Sequence, residues 1–121
     1  MRHDAEYLVD MLDAAKTIRL WAANISEEEF VNDKLLQSAI LFQLMIIGEA
    51  ASGISEDIQS RYQNIEWKSL RGFRNIIVHS YFRLSLPIVW SAADTDARLL
   101  VEEVEKVLKV EFPLALAELA D

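Results

Sequence analysis

Apolar side chains recur at three- and four-residue steps over long stretches of this chain, and that period admits helices and little else. Tyr7, Leu8, Met11, Leu12, Ala15, Ile18 and Trp21 form one such stripe, with Asp4, Asp10, Asp13 and Lys16 mainly on the other side. This is the pattern of an amphipathic helix with one face turned to a core. It predicts a first helix from about His3 to Ala22. No segment alternates with the two-residue period of a half-buried strand. Only 3 glycines and 2 prolines interrupt 121 residues, so long helices can run without a break.

The remaining elements follow from the same signals. Ser26-Glu27-Glu28-Glu29 has the form of a capping box, with the acids at the positive end of a helix dipole. Leu35, Leu36, Ala39, Ile40, Phe42, Gln43, Ile46, Ile47 and Ala50 define a second long helix over about Lys34 to Ala51. Its polar side is narrow, so it is expected to be buried on more than one face. Gly48 lies inside it and costs about 1 kcal/mol relative to alanine. The expected return is close approach of another helix. Glu49 is then an acid on a buried helix and needs a partner: an arginine in a structural pair, or a site residue that it orients.

Gly53 closes this helix, and Ser55 caps a short one with Glu56 and Asp57 in its first turn. A third main helix starts near Trp67, and Ser80 to Leu84 reads as its end plus a loop. Ser85 is the expected N-cap of a fourth long helix, with Pro87 in its first turn, where a missing N–H does no harm. Ile88, Val89, Ala92, Leu99, Val101, Val104, Val107 and Leu108 carry it to about Val110, and Phe112-Pro113 stops it. Leu114 to Ala120 forms a last turn or two. The prediction is an all-α, antiparallel four-helix bundle with additional short helices, one domain over residues 1–121.

Cysteine is absent, so neither disulfides nor thiol chemistry operate here. No uninterrupted run approaches 18 apolar residues, and the charged N-terminus lacks an apolar signal core. The expectation is a soluble, cytoplasmic chain with no membrane role. Its net charge of −8 repels a phosphate backbone in general. Residues 61–83 are the exception, with Arg61, Lys68, Arg71, Arg74 and Arg83 against Glu66 alone. A phosphate is welcome on such a basic island, although a solvated helix face has the same composition. Lys68, Arg71 and Arg83 are the candidate phosphate or RNA contacts. The acids Glu27, Glu28 and Glu29 point in different directions on a helix, so no metal site is expected, and no cofactor.

The island centres on Arg71-Gly72-Phe73-Arg74-Asn75-Ile76-Ile77-Val78-His79-Ser80-Tyr81, which holds one of the two histidines. The other, His3, is expected to be solvated. Asn75 and His79 are four apart and share a face. Arg74 and His79 are about 140° apart around an ideal helix. Their tips converge if the helix end frays, or if two copies meet across a two-fold axis. Tyr81 lies just beyond the helix, where it can be reached. Histidine suits acid–base chemistry near neutral pH, and arginine can hold a phosphate by two bonds. Together they fit metal-free cleavage of RNA, with His79 moving the proton and Arg74 offsetting charge on the phosphate. By spacing alone, an arginine-capped structural helix end accounts for the same residues.

The run Arg74-Asn75-x-x-x-His79-x-Tyr81 resembles the Arg-x4-6-His motif of the HEPN superfamily, and more closely the Arg-x4-His-x-Tyr form of the HepT-like toxins. Ile47-Gly48-Glu49-Ala50-Ala51, Ile65-Glu66-Trp67, Gly72-Phe73-Arg74-Asn75, Val78-His79-Ser80-Tyr81-Phe82 and Ile88-Val89-Trp90 fall in that family's order. The resemblance implies a helical homodimer whose paired motifs line a cleft. It implies a ribonuclease acting as the toxin of a type VII-like toxin–antitoxin pair, with RNA as substrate. Its partner would be a minimal nucleotidyltransferase antitoxin that attaches AMP to the motif tyrosine. Carried over, Arg74 and His79 are catalytic, Asn75 and Glu49 support them, and Tyr81 is the AMP acceptor. The alternative is a non-catalytic helical module that binds a nucleotide or docks the nucleotidyltransferase. Gly48 and the Phe73/Ile77 side of the third helix are the expected surface between copies. Proline is absent before Ile65 and near Asp94, where that family often has one, which puts a kink in the fourth helix in doubt.

Overall fold

The computed structural model describes residues 3–80 and 83–120. Four long helical stretches carry the fold. They are α1 (Asp4–Ala22), α3 (Lys34–Gly53), α5 (Trp67–Ser80), and a last stretch made of α6 (Leu86–Ser91), a π-helical segment (Ala92–Asp96) and α7 (Ala97–Glu111). The short helices α2 (Glu27–Val31), α4 (Glu56–Arg61) and α8 (Pro113–Ala120) complete it. The described residues contain no strand. The all-α bundle read from the sequence is therefore the fold.

Helix α1 packs on both α3 and α7, and α3 also packs on α5. The core lies mainly where α1, α3 and α7 meet. Leu8, Met11, Leu12 and Ile18 from α1 join Ile40 and Ile47 from α3 and Val101, Val104 and Leu108 from α7, all essentially without solvent contact. Each such side chain contributes about 1.5–3 kcal/mol of burial. By contrast, the only buried residue of α5 is Trp67. Its indole N–H donates to the Tyr62 carbonyl at 3.0 Å.

Local signals act as expected in several places. Ser26 and Glu29 form the reciprocal capping box, Glu29 N–H to Ser26 Oγ at 3.1 Å and Ser26 N–H to Glu29 Oε1 at 3.0 Å. Ser55 caps α4 through the Ile58 N–H. It is also tied to the first residue of α1: Asp4 accepts from the Ser55 N–H at 2.8 Å and from its hydroxyl at 2.6 Å. That latch sets the start of α1 beside the end of α3, so the two helices run antiparallel.

Five expectations need correction. Gly53 is the last residue of α3, yet no described glycine has positive φ. It is there because a Cβ would run into the Tyr7 ring. Ser85 precedes α6, but its side chain makes no cap bond. The fourth helix is not uniformly α-helical. Val89, Ala93, Ala97 and Val101 are all buried, each four residues after the last. An ideal α-helix drifts about 40° per four-residue step. The wider π turn at Ala92–Asp96 absorbs that drift and keeps all four inward, with no proline involved. Helix α3 is less covered than its composition suggests, with Leu35 and Phe42 exposed. It is the one described helix long and apolar enough to cross a membrane, although it packs as a core helix between α1 and α5. Lastly, Gly48 is buried beneath α5 and so is not itself open to a second copy, whereas Phe73 is only partly buried.

Candidate active surface on helix α5

Helix α5 crosses α3 at Gly48. A Cβ there would overlap the Cβ of Arg74 and stand 2.7 Å from the Leu70 carbonyl oxygen. The crossing therefore needs a glycine, and it lays the root of the Arg74 side chain on the α3 backbone. One residue further along α3, Glu49 receives the guanidinium. Arg74 Nη2 lies 2.8 Å from Glu49 Oε1. Arg74 Nη1 donates to Asn75 Oδ1 at 3.2 Å. The third nitrogen, Nε, is buried with no hydrogen-bond partner. The Arg74 side chain is 29% exposed and that of Glu49 is 50% exposed. The guanidinium is thus held on two sides while part of it still reaches solvent.

His79 is exposed in the last turn of α5. A cation there would complement the negative end of the helix dipole. Asn75 is exposed one turn earlier. Arg74 faces α3, and among the described residues no hydrogen bond or ion pair joins it to His79. Tyr81 lies outside the described residues. Arg83, which is among the described residues, is exposed.

Lys68 and Arg71 sit at the other end of α5. They line a pocket of about 420 Å³ between α4 and α5, along with Glu56, Gln59, Ser60, Gln63, Ile65, Glu66 and Trp67. Arg71 donates to Gln59 at 2.9 Å. The acids Glu56 and Glu66 balance the two cations there. A second cleft of about 460 Å³ opens between α3, α5 and the fourth helix, lined by Leu44, Ile47, Leu70, Phe73, Leu99 and Leu100 among others. Arg74 and His79 line neither of these two hollows. Among the described residues, no three His, Cys, Asp or Glu side chains gather in a way that could hold a metal ion.

One charged cluster was not foreseen. Arg61 bonds both Asp57 and Glu111, and the Tyr62 hydroxyl donates to Glu111 at 2.5 Å. Its members are spread from position 57 to 111, so no local spacing signals it. Hydrogen bonds from Arg61, then from Tyr62, hold the Glu111 carboxyl below its ordinary range. The bond to Glu111 pushes the Tyr62 hydroxyl up. The cluster ties α4 to the end of α7 and is structural.

A bundle of this topology, with an arginine pinned at a helix crossing and a histidine exposed in the last turn of the same helix, is an all-α HEPN-like fold. The chain belongs to the ribonuclease HepT-like family, whose model matches residues 11–107. A protein of Methanocaldococcus jannaschii named as a putative RNase is 34% identical over 101 residues, which span 84% of this chain and 93% of that one. A Thermococcus cleftensis protein named "Probable ribonuclease HepT" is 31% identical over 108 residues, 89% of this chain and 98% of its own. A protein of Caldanaerobacter subterraneus, also named as a putative RNase, is 28% identical over 111 residues, 92% of this chain and 99% of its own. No solved structure matches the chain.

Proposed function

We propose that this chain is a metal-independent endoribonuclease and the toxin of a toxin–antitoxin pair. The observation that carries the reading is the fixed guanidinium of Arg74, pinned over Gly48 by Glu49 and Asn75, on the helix that exposes His79. His79 takes the proton of a ribose 2′-hydroxyl. The 2′-oxygen bonds to phosphorus as the bond to the 5′-oxygen breaks, and the leaving oxygen takes a proton from solvent or from a second imidazole. The products are a 2′,3′-cyclic phosphate and a 5′-hydroxyl. Arg74 offsets the charge that grows on the phosphate.

A homodimer suits this chemistry, because the described partners of Arg74 are Glu49 and Asn75 rather than His79. Exposed Ile76 and Val78 beside the motif support apolar contact there. Tyr81 is the proposed acceptor of AMP from a nucleotidyltransferase antitoxin. A bulky anion beside a phosphate site would block it by repulsion and by volume. The test is RNA cleavage in the presence of EDTA. His79→Ala is expected to abolish cleavage while its melting curve stays at the wild-type position. Undiminished cleavage by that variant would remove His79 from the reaction.

A second reading, a module that only docks its partner or a nucleotide, draws on the Glu49 carboxylate that partly neutralises Arg74. Tight binding of the nucleotidyltransferase by a protein that cleaves no RNA would favour it.

A further inference from the structure

Two of the three glycines are explained by their neighbours, and Gly72 is not. A Cβ at Gly48 would collide with α5, and one at Gly53 with the Tyr7 ring. A Cβ at Gly72 would meet nothing within 4 Å. Its backbone needs no positive φ either, since no described glycine has one. Yet Gly72 lies inside α5, where glycine costs about 1 kcal/mol relative to alanine. None of the described contacts repays that cost, and the open space leaves room for a molecule outside the chain.

Its surroundings indicate which kind. Lys68, Gly72, Asn75 and His79 recur at helical steps, and with Arg71 they fit within an arc of about 100° on α5. Lys68, Asn75 and His79 are all exposed. From Lys68 to His79 the helix rises about 16 Å. The side that meets α3 instead carries Leu70, Phe73 and Arg74. On a chain of net charge −8, this face carries Lys68 and Arg71 at one end, His79 at the other and no acid between them. The complement to such a face is a polyanion.

We infer that Gly72 is the point where the sugar–phosphate backbone of a bound RNA strand lies against α5, running from the His79 end towards Lys68. This rests on the ribonuclease reading and adds the path of the substrate. The missing side chain lets a ribose or phosphate approach the helix backbone. Lys68 takes a phosphate a few nucleotides from the scissile one. Glu66 and Glu56 beyond Lys68 mark where the strand leaves the helix.

The experiment uses a short fluorescein-labelled RNA with 2′-O-methyl riboses. It cannot be cut, so binding is read apart from cleavage. Gly72→Gln places a neutral side chain in open space and is expected to melt at or above the wild-type temperature. It is expected to keep the wild-type mass by light scattering and to bind the probe about tenfold more weakly, as for one lost close contact. Lys68→Ala is expected to lower the salt dependence of binding by about 0.7 in log–log slope, the value for one single-strand phosphate.

Equal binding by Gly72→Gln, or a wild-type protein that does not bind the probe, overturns the inference. So does a change of mass in Gly72→Gln, which would give this face to a second copy, or a lower melting point, which would make the glycine structural. If Gly72→Gln weakens binding but no RNA is ever cut, the path stands and the nuclease reading fails. If natural RNA is cut with the same KM by both proteins, the nuclease reading stands and the path fails.

Discussion

Arg61 and Arg74 both meet carboxylates, and they do so in different ways. Arg61 is held by two carboxylates through four bonds: Nη1 and Nη2 both reach Glu111, and Nε and Nη2 reach Asp57. Arg74 is held by one carboxylate and one amide, and its Nε has no partner. Arg61 joins two distant parts of the chain and spends four of its five N–H groups on carboxylates. Arg74 is aimed, and although its Nε is buried, Nη1 and Nη2 each have one partner and so keep a second N–H each. A satisfied ion pair signals fastening, whereas a guanidinium fixed in place but short of partners signals a site.

The sharpest way to break this comparison is to remove each arginine in turn. Arg74→Ala and His79→Ala are each expected to lower RNA cleavage by about 10²–10⁴-fold, the range for losing one acid–base or charge-stabilising group. Arg61→Ala is expected to cleave normally and to melt at a lower temperature. Equal loss of cleavage in Arg61→Ala and Arg74→Ala would show that both arginines act through stability alone.

Gly48→Ala comes next. The added methyl meets backbone at the Leu70 carbonyl as well as the root of Arg74, so one helix must move. A loss of about 1–3 kcal/mol in chemical denaturation is expected, as for an overpacked core site. Cleavage should fall with it, because the same contact positions Arg74. A Gly48→Ala protein as stable as wild type would mean that the crossing is not tight.

Much of this was legible from local pattern. The stripe from Tyr7 to Trp21, the capping box at Ser26 and the glycine inside an apolar helix each state their structural consequence within a few residues. Glu49 announced a need for a partner, though not which one. The hidden features depend on distance or on register. Asp4 and Ser55 are 51 positions apart, so nothing local links them. The π turn did have a signal, the repeated four-residue spacing from Val89 to Val101, but a helix read at 3.6 residues per turn blurs it. The open face of α5 was invisible for another reason. Its helix looks amphipathic, and only packing shows that Trp67 alone is buried.

Glu49 tests the aiming of Arg74 on a smaller scale. Glu49→Ala is expected to reduce kcat by about ten- to a hundredfold with little change in KM, the cost of a misplaced catalytic group. Glu49→Asp should restore part of it. Stability should change by less than about 1 kcal/mol, since the Glu49 side chain is half exposed. A large loss of stability with unchanged kcat would move this pair into the same class as Arg61.

The smallest effect expected is the pH response of the Arg61 clamp. Asp57 and Glu111 are held below their ordinary values of 3.8 and 4.5, in each case first through a hydrogen bond from Arg61. Tyr62 is pushed above its ordinary 10.0, first by its bond to Glu111. A lowered carboxylate stabilises above its unfolded pKa, and that contribution is lost as pH falls through the folded value. A raised phenol stabilises below its unfolded pKa, and its contribution is lost as pH rises through the folded value. The clamp is therefore whole between about pH 4.5 and 10 and weakens on both sides. Glu111 partners both groups, so Glu111→Gln should flatten both limbs of a plot of Tm against pH while cleavage at neutral pH is unchanged. Parallel curves for the two proteins would show that the clamp adds nothing to stability, and the contrast between a fastening arginine and an aimed one would then rest on Arg74 alone.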